Sequence, residues 1–296
     1  MSNLIKKIVI GSWSFSGNLG KTNSKDSHEA ITYSIENNIK YFDTAPVYGD
    51  GKVDKLLSTY KKHIKINTKC GYNSNGSKKT FKNSDIEATL DKSLKLFDKI
   101  NILYLHNPRQ EIKDWDKIIN YMQELKKRRL INYTGISLAR GYYFNKEILN
   151  EFDFIQEDIN LLRLNNLDYF KKLKSKVVAR SPLATGLLSN NFNSKTKFSK
   201  NDYRYSWCKG ERFNNILKQV NELKKIYGQN NNISEFAQLY LLQNKNIDLI
   251  NFGVKNAKQV KFILNLIKKK KISKKVIKDL FQLIQNNYNV LNKDKY

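Results

Sequence analysis

The sequence predicts a single closed (β/α)8 barrel spanning residues 1–296, and three observations predict it. Short apolar runs alternate with amphipathic stretches along the whole chain, the pattern of successive strand–helix units. Eight such units fit into 296 residues, a length that suits a barrel of this kind. No stretch rich in Pro, Gly and Ser divides the chain, so nothing marks a boundary between two domains. A doubly wound open sheet is the alternative arrangement of the same units.

The elements follow in order. The first strand is read at 7–14. An Asp26-x-x-Glu29 capping box opens the first helix, which carries Ala30, Ile31 and Ile35. A second strand at 41–45 precedes a helix at 53–61, and a third strand lies at 64–70. A second capping box, Ser84-x-x-Glu87, starts a helix with Ile86, Leu90, Leu94 and Phe97 on one face. Strand four at 100–105 leads to a helix at 115–127. Strands five and six are read at 132–137 and 152–159. Strand seven, 177–180, stops at Ser181-Pro182, because proline donates no ladder hydrogen bond. A loop at about 183–209, rich in Asn, Lys, Tyr and Ser, comes next, and loops that long in compact domains are usually functional or disordered. Two helical stretches, an eighth strand at 247–254, and helices at 257–267 and 274–287 complete the pattern.

Composition narrows the function. Hydrophobic residues make up 40% of the chain, enough for a sizeable core. No run nears the roughly 20 apolar residues of a bilayer span, and the first residues lack the apolar region and cleavage site of a secretory signal. Cys70 and Cys208 stand far apart without a CxxC pair, and His28, His63 and His106 lack metal-ligand spacing. Neither a disulfide framework nor a metal site is therefore expected. A cytoplasmic protein with no membrane partner is the expectation.

The formal net charge of +27 raises the idea of a polyanion partner. Against it, only eight of the 54 basic residues are Arg. Base readout and bidentate phosphate clamps favour arginine's planar fork. The lysines also recur along the whole chain, with the densest cluster at 268–275 between the two last helices. That pattern reads as a solvated face, and no nucleic-acid partner is expected. The charge works against nonspecific association, so a monomer or weak oligomer is expected.

Two glycine motifs fail on inspection. Gly49-Asp50-Gly51 begins like a dinucleotide fingerprint, but residue 54 is Asp, and the segment does not run directly from strand into helix. Gly17-Asn18-Leu19-Gly20-Lys21-Thr22 ends like a phosphate-binding loop but has Phe15 where the first glycine belongs.

Polar residues instead gather where successive strands end. Asp43 closes strand two, Tyr48 follows in the next loop, Lys69 lies near the end of strand three and His106 ends strand four. In a barrel all of them point into the C-terminal mouth, where active sites of this fold are built. The chemistry this set can perform is specific. Reducing a carbonyl needs hydride on carbon and a proton on oxygen. Tyrosine can donate that proton, although its ordinary pKa near 10 makes it a reluctant acid. A nearby ammonium lowers that pKa, and a carboxylate beside the ammonium offsets the cost of burying it. Tyr48 is therefore the candidate acid, Lys69 its activator and Asp43 the lysine's partner. His106 would donate a hydrogen bond to the carbonyl oxygen. Trp13, beside this set, and Trp207, in the long loop, are expected to line an aromatic substrate cleft together with Tyr48 and His106.

These segments resemble the aldo-keto reductase superfamily. Phe42-Asp43-Thr44-Ala45-Pro46-Val47-Tyr48-Gly49-Asp50-Gly51, Thr68-Lys69-Cys70-Gly71 and Leu105-His106-Asn107-Pro108 are similar to its three tetrad-bearing motifs. Gly135-Ile136-Ser137, the segment from Arg180 to Leu188 and the segment from Asn251 to Val260 are similar to its strand-five, strand-seven and last-loop motifs. The resemblance thus covers nearly the whole chain. It implies an NAD(P)H-dependent reductase of small aldehydes or ketones that needs no Rossmann domain. It further implies cofactor contacts from Ser137, Gln156, Arg180, Ser181, Leu183, Gly186, Gly253, Lys255 and Gln259. Lys255 stands where a basic residue often meets the 2′-phosphate, which favours NADP(H), with NAD(H) the alternative. Leu138 replaces a common Asn, Arg180 replaces a stacking aromatic ring, and Phe262 and Ile263 replace an adenine-binding Glu-Asn pair. A cofactor-binding barrel serving as a regulatory or scaffold subunit is the second reading.

Overall fold

The computed structural model describes residues 2–285 apart from 74, 75, 77, 140–143, 165, 166 and 228–231. Eight strands close into one barrel in sequence order. They are β1 (Ile8–Gly11), β2 (Tyr41–Asp43), β3 (Lys65–Cys70), β4 (Ile100–His106), β5 (Ile131–Ser137), β6 (Phe154–Asp158), β7 (Lys176–Arg180) and β8 (Leu249–Gly253). Every pairing is parallel, and β8 returns to β1 through Ile8↔Ile250 to Gly11↔Gly253. The closed barrel, rather than the open sheet, is the arrangement found.

Alternation along each strand separates two apolar layers. Ile8, Ile10, Phe42, Ile66, Leu103, Leu105, Ile136 and Ile155 pack outward into the large core shared with the helices. Ile102, Tyr104, Phe154 and Val178, with Leu249 against them, form a separate cluster inside the barrel. Burial on both faces is why these strands read as nearly continuous apolar runs. The same alternation turns Asp43, Lys69 and His106 into the barrel, because their outward neighbours Phe42, Cys70 and Leu105 belong to the outer core.

The interior layer depends on one glycine. A Cβ built on Gly135 would overlap the ring of Tyr104 and crowd Ile102, and Tyr104 is fully buried with no room to retreat. Gly135→Ala is therefore expected to cost about 1–3 kcal/mol through overpacking. A urea titration of both proteins checks this, and an unchanged midpoint would show that the interior relaxes freely.

The helices differ from expectation mainly at their starts. The first long helix runs Ser24–Glu36 and is capped by Asn23, not Asp26. Asn23 Oδ1 accepts from the Asp26 backbone N at 2.6 Å while Asn23 Nδ2 donates to Asp26 Oδ2 at 2.9 Å. The cap thus lies three residues upstream of Asp26, and the Asp26 carboxylate holds the capping side chain rather than its backbone N–H. The helix Asn83–Phe97 follows Lys82, whose side chain makes no cap. There Thr80 Oγ1 holds Asp85 Oδ2 at 2.9 Å, so Ser84 lies inside the first turn rather than capping it. Trp115–Lys127 has the predicted bounds and buries Trp115, Ile118, Ile119, Met122 and Leu125. The last described helix is Lys274–Gln285, so the expected end at 286–287 lies outside the described residues.

Most strands are shorter than read, and the difference matters at β1. After Gly11 the chain turns at Ser12 into a 3-10 turn, Trp13–Ser16. Ser12 is tied to the Asp43 carbonyl through both its backbone N at 3.0 Å and its hydroxyl at 2.8 Å. Those bonds end the strand early and swing Trp13 over the barrel mouth.

Candidate active site

Asp43 and Lys69 are buried, with 2% and 3% of their surface exposed. A charged pair this deep survives only if both charges are partnered. Lys69 Nζ donates a short hydrogen bond to Asp43 Oδ1 and a second, of 2.9 Å, to the Thr44 carbonyl. Asp43 Oδ2 accepts from Gln156 Nε2 at 2.7 Å, and Gln156 Oε1 accepts from Ser137 Oγ at 3.0 Å. A chain of hydrogen bonds thus crosses the barrel floor from β5 through β6 to β2 and β3. Behind it, Thr44 Oγ1 donates to the buried Asp54 carboxylate at 2.5 Å.

Tyr48 lies above this pair. Lys69 Nζ sits 5.0 Å from the centre of its ring. The His106 ring meets the Tyr48 ring edge-on, with centroids 6.3 Å apart. Tyr48, Lys69, Asp43 and His106, predicted from three separate segments, are therefore one cluster.

The electrostatics differ from expectation at one point. Burial raises the Tyr48 pKa, and the lowering effects of Lys69 and Arg180 offset this only in part, so it stays above the ordinary tyrosine value. The expected net lowering is not found, because desolvation outweighs the ammonium. Burial pushes Lys69 down, but Asp43 and Tyr48 outweigh it and hold the amine above the usual lysine range. Burial first, then the cations Lys69, Arg180 and Lys79, hold His106 well below the usual imidazole range. At neutral pH the cluster is a phenol, an ammonium and a neutral imidazole.

A cleft of about 830 Å³ opens from this cluster. Its lining includes Trp13, Tyr48 and His106 from the cluster, and Lys255 and Gln259 from the segment after β8. Gln156, Arg180, Ser181, Leu183, Gly186 and Gly253 line it between or beside them. The Arg180 guanidinium donates to the Leu138 carbonyl at 2.7 Å, which fixes it at the wall. Ser137 lies beneath, bonded to Gln156. Trp207 is the exception among the predicted residues: it is buried behind Tyr203, with ring centroids 6.2 Å apart, and Arg212 covers its ring at 5.2 Å. Tyr203 takes its place against Trp13, edge to face at 5.2 Å.

The long loop crosses the cleft and is bolted to the loop after β1. The Tyr203 N–H donates to the Asn18 carbonyl at 2.9 Å. Lys255 Nζ and Arg204 Nη2 both donate to the Leu19 carbonyl, at 2.7 and 3.3 Å. Arg204 is itself clamped by Asp202 and lies over the rings of Phe192 and Phe198. Sequence reading missed this anchor, although a lone Arg among lysines was a usable signal.

The sequence also gave no weight to Asn251. Its Oδ1 is buried without a hydrogen-bond partner, and the residue lines the cleft. Among the described residues no group of three or more His, Cys, Asp or Glu is placed to hold a metal, and no helix is long and apolar enough to cross a membrane.

A parallel barrel with an ammonium, a phenol and a neutral imidazole in its C-terminal mouth has the groups for acid–base chemistry at one place. The model of the Aldo/keto reductase family matches residues 7–293, and the chain belongs to that family. It is 24% identical over 277 residues to the aldo-keto reductase YhdN of Bacillus subtilis, spanning 86% of this chain and 82% of that one. It is 28% identical over 194 residues to L-galactose dehydrogenase of Arabidopsis thaliana, spanning 57% of this chain and 59% of that one. The fold is similar to the glycerol dehydrogenase AKR11B4 of Gluconobacter oxydans, with a TM-score of 0.78, 19% identity, and 98% and 94% of the two chains covered. It is similar also to the holo form of the aldo-keto reductase AKR11C1 of Bacillus halodurans, with a TM-score of 0.75, 21% identity, and 94% and 91% covered.

Proposed function

We propose that this protein reduces a small aldehyde or ketone to an alcohol, reversibly, with NADP(H) and with Tyr48 as proton donor. The observation that carries this reading is the buried Lys69, bonded to Asp43 and 5.0 Å from the centre of the Tyr48 ring. An ammonium in that place can stabilise the phenolate that remains once Tyr48 gives up its proton. The raised pKa keeps Tyr48 protonated, so the donor is loaded at neutral pH. His106, neutral, donates an N–H to the carbonyl oxygen and aims it at the phenol without competing for the proton. Trp13 and Tyr203 exclude water from one side.

The cleft fits a nicotinamide dinucleotide. Its lining combines Tyr48 and His106 with the cations Arg180 and Lys255 and includes Gly253, where a Cβ would meet open space. The bound nicotinamide would supply the hydride. Ser137 and Gln156 would face its carboxamide, Arg180 its ring, and Ser181, Leu183 and Gly186 its phosphates. Gln156 spends one amide hydrogen on Asp43 and keeps the other. Lys255 and Gln259 would meet the adenosine end, where the Lys255 ammonium favours a 2′-phosphate. Free, buried Cys70 and Cys208 agree with a reducing, cytoplasmic setting.

Fluorescence titration with NADPH and NADH tests the cofactor assignment. Lys255→Ala is expected to weaken NADPH roughly tenfold, the value of a charge-assisted hydrogen bond, and to leave NADH within twofold. Equal losses for both would remove the 2′-phosphate assignment. Oxidation of NADPH with a panel of small aldehydes, ketones and sugar aldehydes then tests the reaction. The panel includes sugars because one relative is named an L-galactose dehydrogenase.

A further inference from the structure

We infer that Asn251 is a cofactor-binding residue that takes a hydroxyl of the sugar between the nicotinamide and the phosphates. The inference rests on the cofactor reading above and adds a residue to it. Asn251 is 9% exposed, and its Oδ1 has no partner in the protein. A buried amide oxygen left alone costs stability, and a native chain keeps one where a ligand or water completes it. The site is also built to leave the amide room. On the adjoining strand stands Gly11, where any Cβ would overlap Asn251 Oδ1.

Position selects the ligand group. Asn251 pairs with Arg180 of β7 on one side and Val9 of β1 on the other. It lies two residues before Gly253, where the segment leading to Lys255 and Gln259 leaves the barrel. It therefore stands between the cationic rim and the cluster around Tyr48, and all of these line one cleft. With the adenosine end at the rim, the linking phosphates at Ser181 to Gly186 and the reacting ring against Arg180, the sugar that joins ring to phosphates lies beside Arg180, the residue with which Asn251 pairs. A sugar hydroxyl both donates and accepts, so it satisfies either orientation of the Asn251 amide. A phosphate, an acceptor only, cannot satisfy a lone Oδ1, and the nicotinamide carboxamide, which could donate, is assigned to Ser137 and Gln156.

The test uses Asn251→Leu, which keeps the branched shape and removes the polarity, with Asn251→Ala as a second variant in case leucine does not fold. NADPH and 2′,5′-ADP are titrated against each protein. The latter carries the adenosine end but no nicotinamide sugar. NADPH is expected to weaken roughly fivefold to tenfold, the loss of one hydrogen bond, while 2′,5′-ADP is unchanged. The ligand-free Leu variant is expected to melt at least as high as wild type, because an orphaned polar group has been removed. Unchanged NADPH affinity would assign the orphan to a buried water and overturn the inference. Equal weakening of both ligands would trace the effect to the rim and overturn it too. If the wild type binds neither ligand, the cofactor reading itself fails, and a wild type that binds both keeps the two questions apart.

Discussion

Lys69→Met is expected to lower stability by about 3–5 kcal/mol, the effect of removing one member of a buried ion pair. Methionine matches the length of lysine, so the loss is electrostatic rather than steric. It leaves Asp43 buried with only the Gln156 amide as a side-chain partner, and leaves the Thr44 carbonyl without its donor. For a chain of this size the melting temperature is expected to fall by about 10 °C. Activity is expected to fall as well, because the phenolate formed at Tyr48 loses its nearest cation.

The two effects separate in the double variant. Asp43→Asn with Lys69→Met removes both charges, and a neutral amide accepts from Gln156 as the carboxylate does. Replacing a buried pair together is often nearly neutral for stability. The double variant is therefore expected to recover most of the melting temperature and none of the turnover. A double variant as unstable as the single one would mean that the pair's geometry, not the uncompensated charge, supports the barrel floor. Recovery of turnover would remove Lys69 from the proposed chemistry.

Most of this cluster was legible in the sequence because charge inside an apolar strand is conspicuous. Asp43, Lys69 and His106 interrupt runs that the barrel buries on both faces, and alternation alone turns them inward. What was not legible has physical causes. The run Asn23-x-x-Asp26-x-x-Glu29 offers two capping frames, and only the backbone decides that Asn23 closes first. Trp207 was read as pocket lining because exposure within a long loop has no periodicity to reveal it. The anchor across the cleft joins Leu19 to Arg204 and Lys255, partners 185 and 236 residues apart, and no local pattern encodes such contacts. The sign of the Tyr48 shift is the clearest case. Chemistry identified Lys69 as the group that lowers it, but the larger opposing effect is burial, a property of the folded mouth and not of the motif.

That sign bears on the second large effect. Tyr48→Phe removes one hydroxyl and keeps the ring that packs beside His106 and Trp13. Under the proposed assignment kcat is expected to fall by about 10²–10⁴, the usual contribution of a positioned acid. NADPH affinity is expected to stay within twofold, since the hydroxyl serves the substrate oxygen. Stability is expected to hold, because Lys69 retains Asp43 and Thr44. The pH profile gives a second reading. With His106 well below and Tyr48 above their ordinary values, neither gains nor loses a proton between pH 7 and 9. The wild-type carbonyl-reduction rate is then expected to stay level across that range, and to fall on the alkaline side only as Tyr48 ionises. Stopped-flow measurement of NADPH oxidation in a single turnover isolates the chemical step from product release. A Phe variant that turns over within tenfold of wild type would take the proton from elsewhere, and His106 would be the first residue to test. That substitute is a poor one: burial and three nearby cations keep its imidazole neutral, so its N–H could orient the carbonyl but would surrender a proton far less readily than the phenol.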